Sequence, residues 1–251
     1  MPASDKTKTW LTIIALIFCA HASCLCTSIR YGFLADAFAK KDVPGRVYGL
    51  IETSMAASYV FLFVTQLAEK MMRKWNSMVI FASSMIGFAI VALITGFTYS
   101  IPNTVAITAI SIVLRLIQGC LAYTCLVMPV DFINAQFPDK FDMVNGLVNL
   151  GYFSGHGMAE VFGSIIYDHF SYEAAHVFAA IIAFMAGAGV YFFIPNCKTY
   201  LSTQEELPDE DMAPGVGLES KNLKLTRTLI VPMVATMLIN ANYGVLQVYS
   251  F

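Results

Sequence analysis

The sequence predicts an all-α membrane protein that crosses the bilayer about seven times. Of its 251 residues, 57% are hydrophobic and only 13% are charged, whereas soluble domains carry roughly 25% charged residues. Apolar stretches of about 20 residues, the length that a helix needs to cross the hydrocarbon core, recur along the chain. Helices are expected because backbone polar groups in lipid must pair within their own segment.

The predicted spans follow one another closely up to the sixth, after which a long polar interval intervenes. Residues 1–195 are expected to form a six-helix bundle, and residues 227–251 a seventh helix that begins a truncated second half. Residues 196–226 are rich in acidic residues, proline and glycine, which predicts a flexible cytoplasmic linker. The spans cover approximately residues 10–29, 47–68, 77–97, 104–130, 143–167, 174–195 and 228–250.

Basic residues outside the spans predict the orientation through the positive-inside rule. An N-terminus in the cytoplasm places ten lysines and arginines on the cytoplasmic side and only four on the opposite side, namely Arg30, Lys40, Lys41 and Arg46. The N-terminus is therefore expected in the cytoplasm.

The first span could alternatively be a cleaved signal peptide. Lys6 and Lys8 precede it, and Ala20 and Ala22 flank His21 in an A-x-A arrangement. However, its apolar run exceeds the roughly 7 to 15 residues of a signal peptide, and further spans follow. A membrane helix is the favoured interpretation.

Neither a metal site nor a cofactor site is predicted. Most of the six cysteines lie within or beside apolar runs, and their spacing is irregular for a zinc site. The chain has no G-x-x-x-x-G-K-[ST] loop and no H-E-x-x-H pair. Its net charge of −2 provides no basic excess for nucleic acid. The sequence therefore predicts neither an enzyme nor a nucleic-acid-binding protein.

A basic segment follows the second span. It reads TQLAEKMMRK over residues 65–74 and resembles the signature G-x-L-A-D-R-x-G-R-K of the major facilitator superfamily, without its glycines. An acid beside basic residues at a helix end can form ion pairs that depend on conformation. We expect a loop that gates the conformational change, and an ordinary positive-inside loop is the alternative. The gating residues are Leu67, Ala68, Glu69, Lys70, Arg73 and Lys74.

The fourth span contains an arginine. Arg115 is followed by Gln118 and Gly119 in a pattern that resembles the R-x-x-Q-G element of the same superfamily. A charge inside a span is costly and normally faces the bundle interior or a wet cavity with a partner. We therefore predict that Arg115 points inward, while a structurally paired or snorkelling arginine is the alternative.

The fifth span is rich in glycine, which permits close helix contact. Its packing candidates, together with Gly119, are Gly151, Gly155, Gly157 and Gly163. The surrounding residues, including Phe153-Ser154-Gly155, Phe137-Pro138, Ile194-Pro195-Asn196 and the segment 31–41 after the first span, resemble the vesicular amine transporter branch of the superfamily, and most closely its vesicular polyamine transporters. One departure is Ala159-Glu160, which stands where the antiporter signature of that branch has a Gly-Pro pair.

That resemblance implies a bundle of two inverted three-helix repeats, with a central site between two such halves. The other half would be either a missing C-terminal half or a second copy of the chain. Polar residues in the spans are candidates for the pathway of solute and protons. His156 and Glu160, four residues apart, share a helix face and are expected either to carry protons or to form a structural pair. By resemblance, His21 would face Arg115, and a packing histidine with one satisfied nitrogen is the alternative. Glu52, Asp131 and Asp168 are expected at the membrane interface.

The leading functional hypothesis is a secondary transporter that exchanges protons for a small organic solute of amine or cationic type, in a vesicle, another organelle or the plasma membrane. Arg115 would set the field of the cavity, Gln118 would add polar contacts, and Glu160 with His156 would carry the proton. A truncated, non-transporting membrane protein is the first alternative. A seven-helix receptor is the second, but such receptors place the N-terminus outside.

Overall fold

The computed structural model describes residues 3–194, with the side chains of residues 7–194 apart from Glu69, Met72, Arg73, Lys74 and Ser77. The regular elements in this range are helices. They are α1 (Ala3–Ser28), α2 (Leu34–Ala39), α3 (Gly45–Thr65), α4 (Leu67–Lys74), α5 (Ser77–Thr98), α6 (Thr104–Gln136), α7 (Phe141–His169) and α8 (Tyr172–Phe193), with a 3-10 turn at Pro138–Lys140.

The long helices α1, α3, α5, α6, α7 and α8 coincide with the six spans predicted up to residue 195, and this confirms the all-α membrane fold. Within the described residues, five of them are long and apolar enough to cross a membrane. The exception is α7, which has 29 residues but carries polar side chains such as His156 and Glu160 along its length. The predicted linker (196–226) and seventh helix (227–251) lie outside the described residues.

Short polar side chains begin several of the helices. Asn103 accepts hydrogen bonds from the backbone amides of Val105 and Ala106, at 2.9 and 3.0 Å, and so caps α6. Asn76 caps α5 and Ser171 caps α8 in the same way. Each cap satisfies amides that the first helical turn leaves without an intrahelical partner.

The segment predicted as a gating loop is instead a short helix, α4. α3 ends where Gln66 adopts a left-handed conformation, with a φ of 51°, and the chain then resumes helical geometry from Leu67. The break comes from this single residue, so the rest of the segment is free to complete its own helical hydrogen bonds. Leu67 and Lys70 are exposed and Ala68 is buried; the side chains of Glu69, Arg73 and Lys74 lie outside the description.

The helix packing maps onto itself when α1 is exchanged with α6, α3 with α7, and α5 with α8. α1 packs mainly against α7 and α8, and α6 packs mainly against α3 and α5. α5 and α8, which exchange with each other, form the most extensive pair. This pattern is the one expected of two inverted three-helix repeats.

Small residues on α7 allow α1 to approach closely. A side chain added at Gly151 would lie 2.7 Å from the carbonyl oxygen of Ile17. Additions at Gly155 and Gly163 would clash with the carbonyl oxygens of His21 and Ile29. The residue numbers in the three pairs differ by a constant amount, so α1 and α7 run parallel in one register. On α6, Gly119 meets α3 in the same manner, 2.8 Å from the carbonyl oxygen of Met55.

Gly157 was predicted to pack with these glycines, and this prediction is wrong. An added side chain there would have no neighbour within 4 Å, and the residue is exposed. The reason is helical geometry, because Gly151, Gly155, Ala159 and Gly163 are spaced four apart and share one face. Gly157 lies two residues off that face.

Gly163, which lies in the contact between α1 and α7, and Gly157, which lies outside it, provide a matched test of that contact. We expect Gly163→Ala to destabilise the protein by about 1–3 kcal/mol, because the new methyl group collides with the backbone of Ile29 and forces the helices apart. Gly157→Ala should leave stability unchanged or raise it slightly, since alanine favours helix. Thermal unfolding of the purified full chain in detergent measures both. Equal behaviour of the two variants would contradict the packing described here.

Candidate functional site

Arg115 lies at the centre of the bundle and is 0% exposed, which confirms the inward orientation predicted from its sequence position. Its Nη1 atom donates hydrogen bonds to the carbonyl oxygen of Thr27 at 2.9 Å and to Gln118 at 2.7 Å. Its Nη2 atom donates to the hydroxyl of Tyr31 at 3.0 Å and pairs with a carboxylate oxygen of Glu52. The guanidinium thus joins α6 to α3 and to the end of α1.

Glu52 is shared between two arginines. Its Oε2 atom pairs with Arg115, and its Oε1 atom lies 3.1 Å from Nε of Arg30. The side chain of Glu52 is 10% exposed and that of Arg30 is 4% exposed. A carboxylate in such a position offsets charge that would otherwise be costly to hold away from water. We call Arg30, Glu52 and Arg115 the charge cluster.

Helix spacing and helix ends position the charge cluster. Arg115 and Gln118 are three residues apart on α6 and therefore share a face. Gln118 also donates to the carbonyl oxygen of Cys26 at 2.8 Å. The carbonyl groups of Cys26 and Thr27 belong to the last turn of α1, where backbone acceptors lack partners within the helix. Two side chains of α6 therefore supply donors to the end of α1.

The structure separates the other predicted pathway residues. His156 does not pair with Glu160 but lies 2.8 Å, through Nδ1, from the hydroxyl of Ser28 and stacks on the ring of Tyr31. Through Tyr31 it is linked to Arg115. Glu160 is half-buried, and its carboxylate has no polar partner among the described residues. His21 lies 3.0 Å from the hydroxyl of Ser154 and does not contact Arg115.

Sequence reasoning missed two members of the charge cluster. Glu52 was expected at the interface, and Arg30 was counted with the loop residues of the opposite side. Instead, Glu52 pairs with Arg115, and the buried Arg30 pairs with Glu52. The signal that would have found Glu52 is the buried arginine itself, which needs a counter-charge from another span.

Of the two remaining acids expected at the interface, Asp168 is exposed, but Asp131 is 8% exposed and buried. The predicted fourth span stops at residue 130, whereas α6 continues to Gln136. Asp131 therefore lies within the helix instead of at its end. Asp131 is thus buried against neighbouring helices, and its location at the membrane interface stays a prediction.

A second polar group connects α2 to the end of α7, and we call it the α2 tether. Lys40 lies 2.7 Å from a carboxylate oxygen of Asp36 and donates to the hydroxyl of Tyr167 at 3.0 Å. That hydroxyl donates to Asp36 at 2.9 Å. These hydrogen bonds lower the pKa of Asp36 and raise the pKa of Lys40. The group is largely exposed, so it is a contact in water and not part of the buried site.

The family model of the Major Facilitator Superfamily matches residues 11–251 of the chain. The match therefore covers α1 from Leu11 onward and the other five long helices completely, and it continues past the described region. No curated protein matches the chain at a significant level.

The α2 tether should survive mild acid. Asp36 has a lowered pKa, so its stabilisation is present above its unfolded value near pH 4 and is lost as the pH falls through the folded value. Lys40 has a raised pKa, so its contribution is present below about pH 10 and is lost at higher pH. We expect hydrogen exchange of residues 34–40, corrected for the intrinsic rate, to be constant from pH 7 to 5 and to accelerate below about pH 4.

Asp36→Asn is the control for this prediction. It removes the titrating group, so exchange should be faster at neutral pH and show no further acceleration in acid. A loss of protection in the wild-type protein already between pH 7 and pH 5 would show that another group controls this end of the bundle.

Proposed function

Because the chain belongs to the major facilitator superfamily, whose members are membrane transporters, we propose that it exchanges protons for a small organic solute across its membrane. The observation that carries this proposal is the fully buried Arg115, which joins three segments of the bundle through charge-assisted hydrogen bonds. Such a costly group persists where function requires a fixed charge inside the membrane.

The resemblance to the vesicular amine branch supports an amine or other cationic solute, and it supports a vesicle or another organelle as the location. The distribution of basic residues supports an N-terminus in the cytoplasm. Such an exchange requires a carboxylate that can bind either a proton or a cationic solute. Among the described residues, Glu160 is our candidate for this group. It is half-buried and engaged by no described side chain, whereas both oxygens of Glu52 are already held by arginines.

In this proposal, Glu160 binds either the proton or the cationic solute, because one carboxylate cannot hold both at once. Competition of this kind is enough to make the fluxes of the two species opposite in direction. Arg115 supplies a fixed positive field that opposes entry of a second cation. His156 lies one helical turn before Glu160, and its ring stacks on Tyr31, which bonds Arg115. These contacts and the hydrogen bond with Ser28 support a role for His156 as a proton relay.

Replacement of Arg115 tests the proposal directly. We expect Arg115→Ala to reduce pH-gradient-driven uptake in reconstituted vesicles at least about tenfold, since each lost charge-assisted hydrogen bond contributes ~1.5–3 kcal/mol. The variant should still insert, because Glu52 retains Arg30 as a counter-charge. Arg115→Lys should rescue poorly, because lysine lacks the planar fork that reaches Thr27, Gln118 and Tyr31 together.

Lys140→Ala, which removes an exposed charge at the start of α7, is the control and should transport normally. Normal uptake by Arg115→Ala would refute the assignment of Arg115 to the transport cycle.

Replacement of Glu160 separates proton coupling from solute exchange. We expect Glu160→Gln to lose the stimulation by a pH gradient, because glutamine carries no exchangeable charge. The variant should still fold, since no described side chain depends on that carboxylate. Asp168→Asn, an exposed acid eight residues later on α7, should keep the full response. Uptake by Glu160→Gln that still follows the pH gradient would move proton coupling to another group.

A further inference from the structure

The charge cluster carries more positive than negative charge. Arg30 is 3% exposed and Arg115 is 0% exposed, and Glu52 is the acid paired with both. An arginine cannot lose its proton under any physiological condition, so two positive charges face one negative charge. Holding an uncompensated ion away from water costs several kcal/mol. The cluster therefore favours a further negative charge beside it.

Hydrogen-bond donors in the cluster also lack acceptors. Among the described residues, Nε and Nη2 of Arg30 and Nε of Arg115 are buried without a hydrogen-bond partner. Oε1 of Glu52 also lacks one, although it lies 3.1 Å from Nε of Arg30. Glu52 brings one negative charge to this group, and its two oxygens face Arg30 and Arg115 separately. Glu160 forms no ion pair with either arginine in the described part of the chain. Orphan buried donors of this kind require a water molecule or an ion.

The net positive charge of the cluster favours an anion over a water molecule as the missing acceptor. A water molecule can accept a hydrogen bond from a guanidinium, but it offsets none of the net charge. An anion does both. One excess positive charge calls for one negative charge. The hydroxyl of Tyr31, which accepts a hydrogen bond from Arg115 at 3.0 Å, adds a polar group beside the two arginines. A compact monovalent anion matches these requirements.

We propose that the charge cluster binds one monovalent anion, which pairs with Nη2 of Arg30 and compensates the second arginine. Either a halide or the carboxylate group of an organic solute has the required chemistry. The site goes beyond the proposed exchange of protons for a solute, and it is detected by binding alone. Absence of transport would therefore not contradict the anion site, and absence of anion binding would not contradict the proposed transport.

The test measures thermal unfolding of the purified full chain in sodium chloride, sodium acetate and the bulkier sodium methanesulfonate at equal ionic strength. We expect a saturable rise of about 2–6 °C in chloride or in acetate relative to methanesulfonate. A rise in chloride alone identifies an inorganic anion, and a rise in acetate identifies a carboxylate. No saturable rise in either salt overturns the proposal.

Variants of the cluster distinguish a specific site from general salt effects. Arg30→Gln leaves the neutral pair of Glu52 and Arg115 and should abolish the anion-dependent rise. Arg30→Lys retains the charge and should keep most of the rise, so the proposal stays testable if the glutamine variant folds poorly. Glu52→Gln removes the internal counter-charge and should make stability more dependent on anion. Arg46→Gln, an exposed arginine at the start of the same helix as Glu52, should behave like the wild type.

A wild-type rise that persists undiminished in Arg30→Gln would show that the anion acts elsewhere, and it would overturn the assignment to this cluster.

Discussion

A guanidinium buried in a membrane cannot release its proton, so its surroundings must supply the compensation. Arg115 imposes this requirement on the described helices. Besides Gln118 on the same helix, its partners come from three places: the carbonyl group of Thr27 at the end of α1, the hydroxyl of Tyr31 just beyond it, and Glu52 on α3. None of these three is close in sequence. The position of one side chain thus constrains how α1, α3 and α6 are placed relative to each other.

Helix packing makes these contacts attainable. The glycine face of α7 allows the backbone of α1 to approach closely, and Gly119 does the same for α3 and α6. In lipid, close backbone contact of this kind contributes through van der Waals packing because no hydrophobic force drives helices together. Gly119 directly follows Gln118 and lies four residues from Arg115, so the residue that admits α3 also brings Glu52 within reach of the arginine. Packing and electrostatics are therefore satisfied by neighbouring positions on one helix.

The two polar groups of the bundle differ in their exposure to water. The α2 tether is exposed, and both of its charges can exchange protons with solvent. The charge cluster is buried, and two of its three members cannot change charge at all. A change of pH therefore acts on the tether only at extremes, while the cluster responds to the charge of whatever binds beside it. In the proposed cycle, the proton binds to Glu160, which is half-buried and has no described partner, and His156 acts as the relay.

The sequence alone determined the fold class, the six long helices and the inward orientation of Arg115, because span length and the cost of a charge in lipid are local properties. It also indicated that glycines of α7 allow close helix packing. The structure showed that Gly157 lies off the helix face that contacts α1. Only the tertiary structure decided that Glu52 and Arg30 join Arg115, that His156 faces Ser28 instead of Glu160, and that Asp131 is buried. These facts depend on which helices become neighbours and in which register, and no single span carries that information.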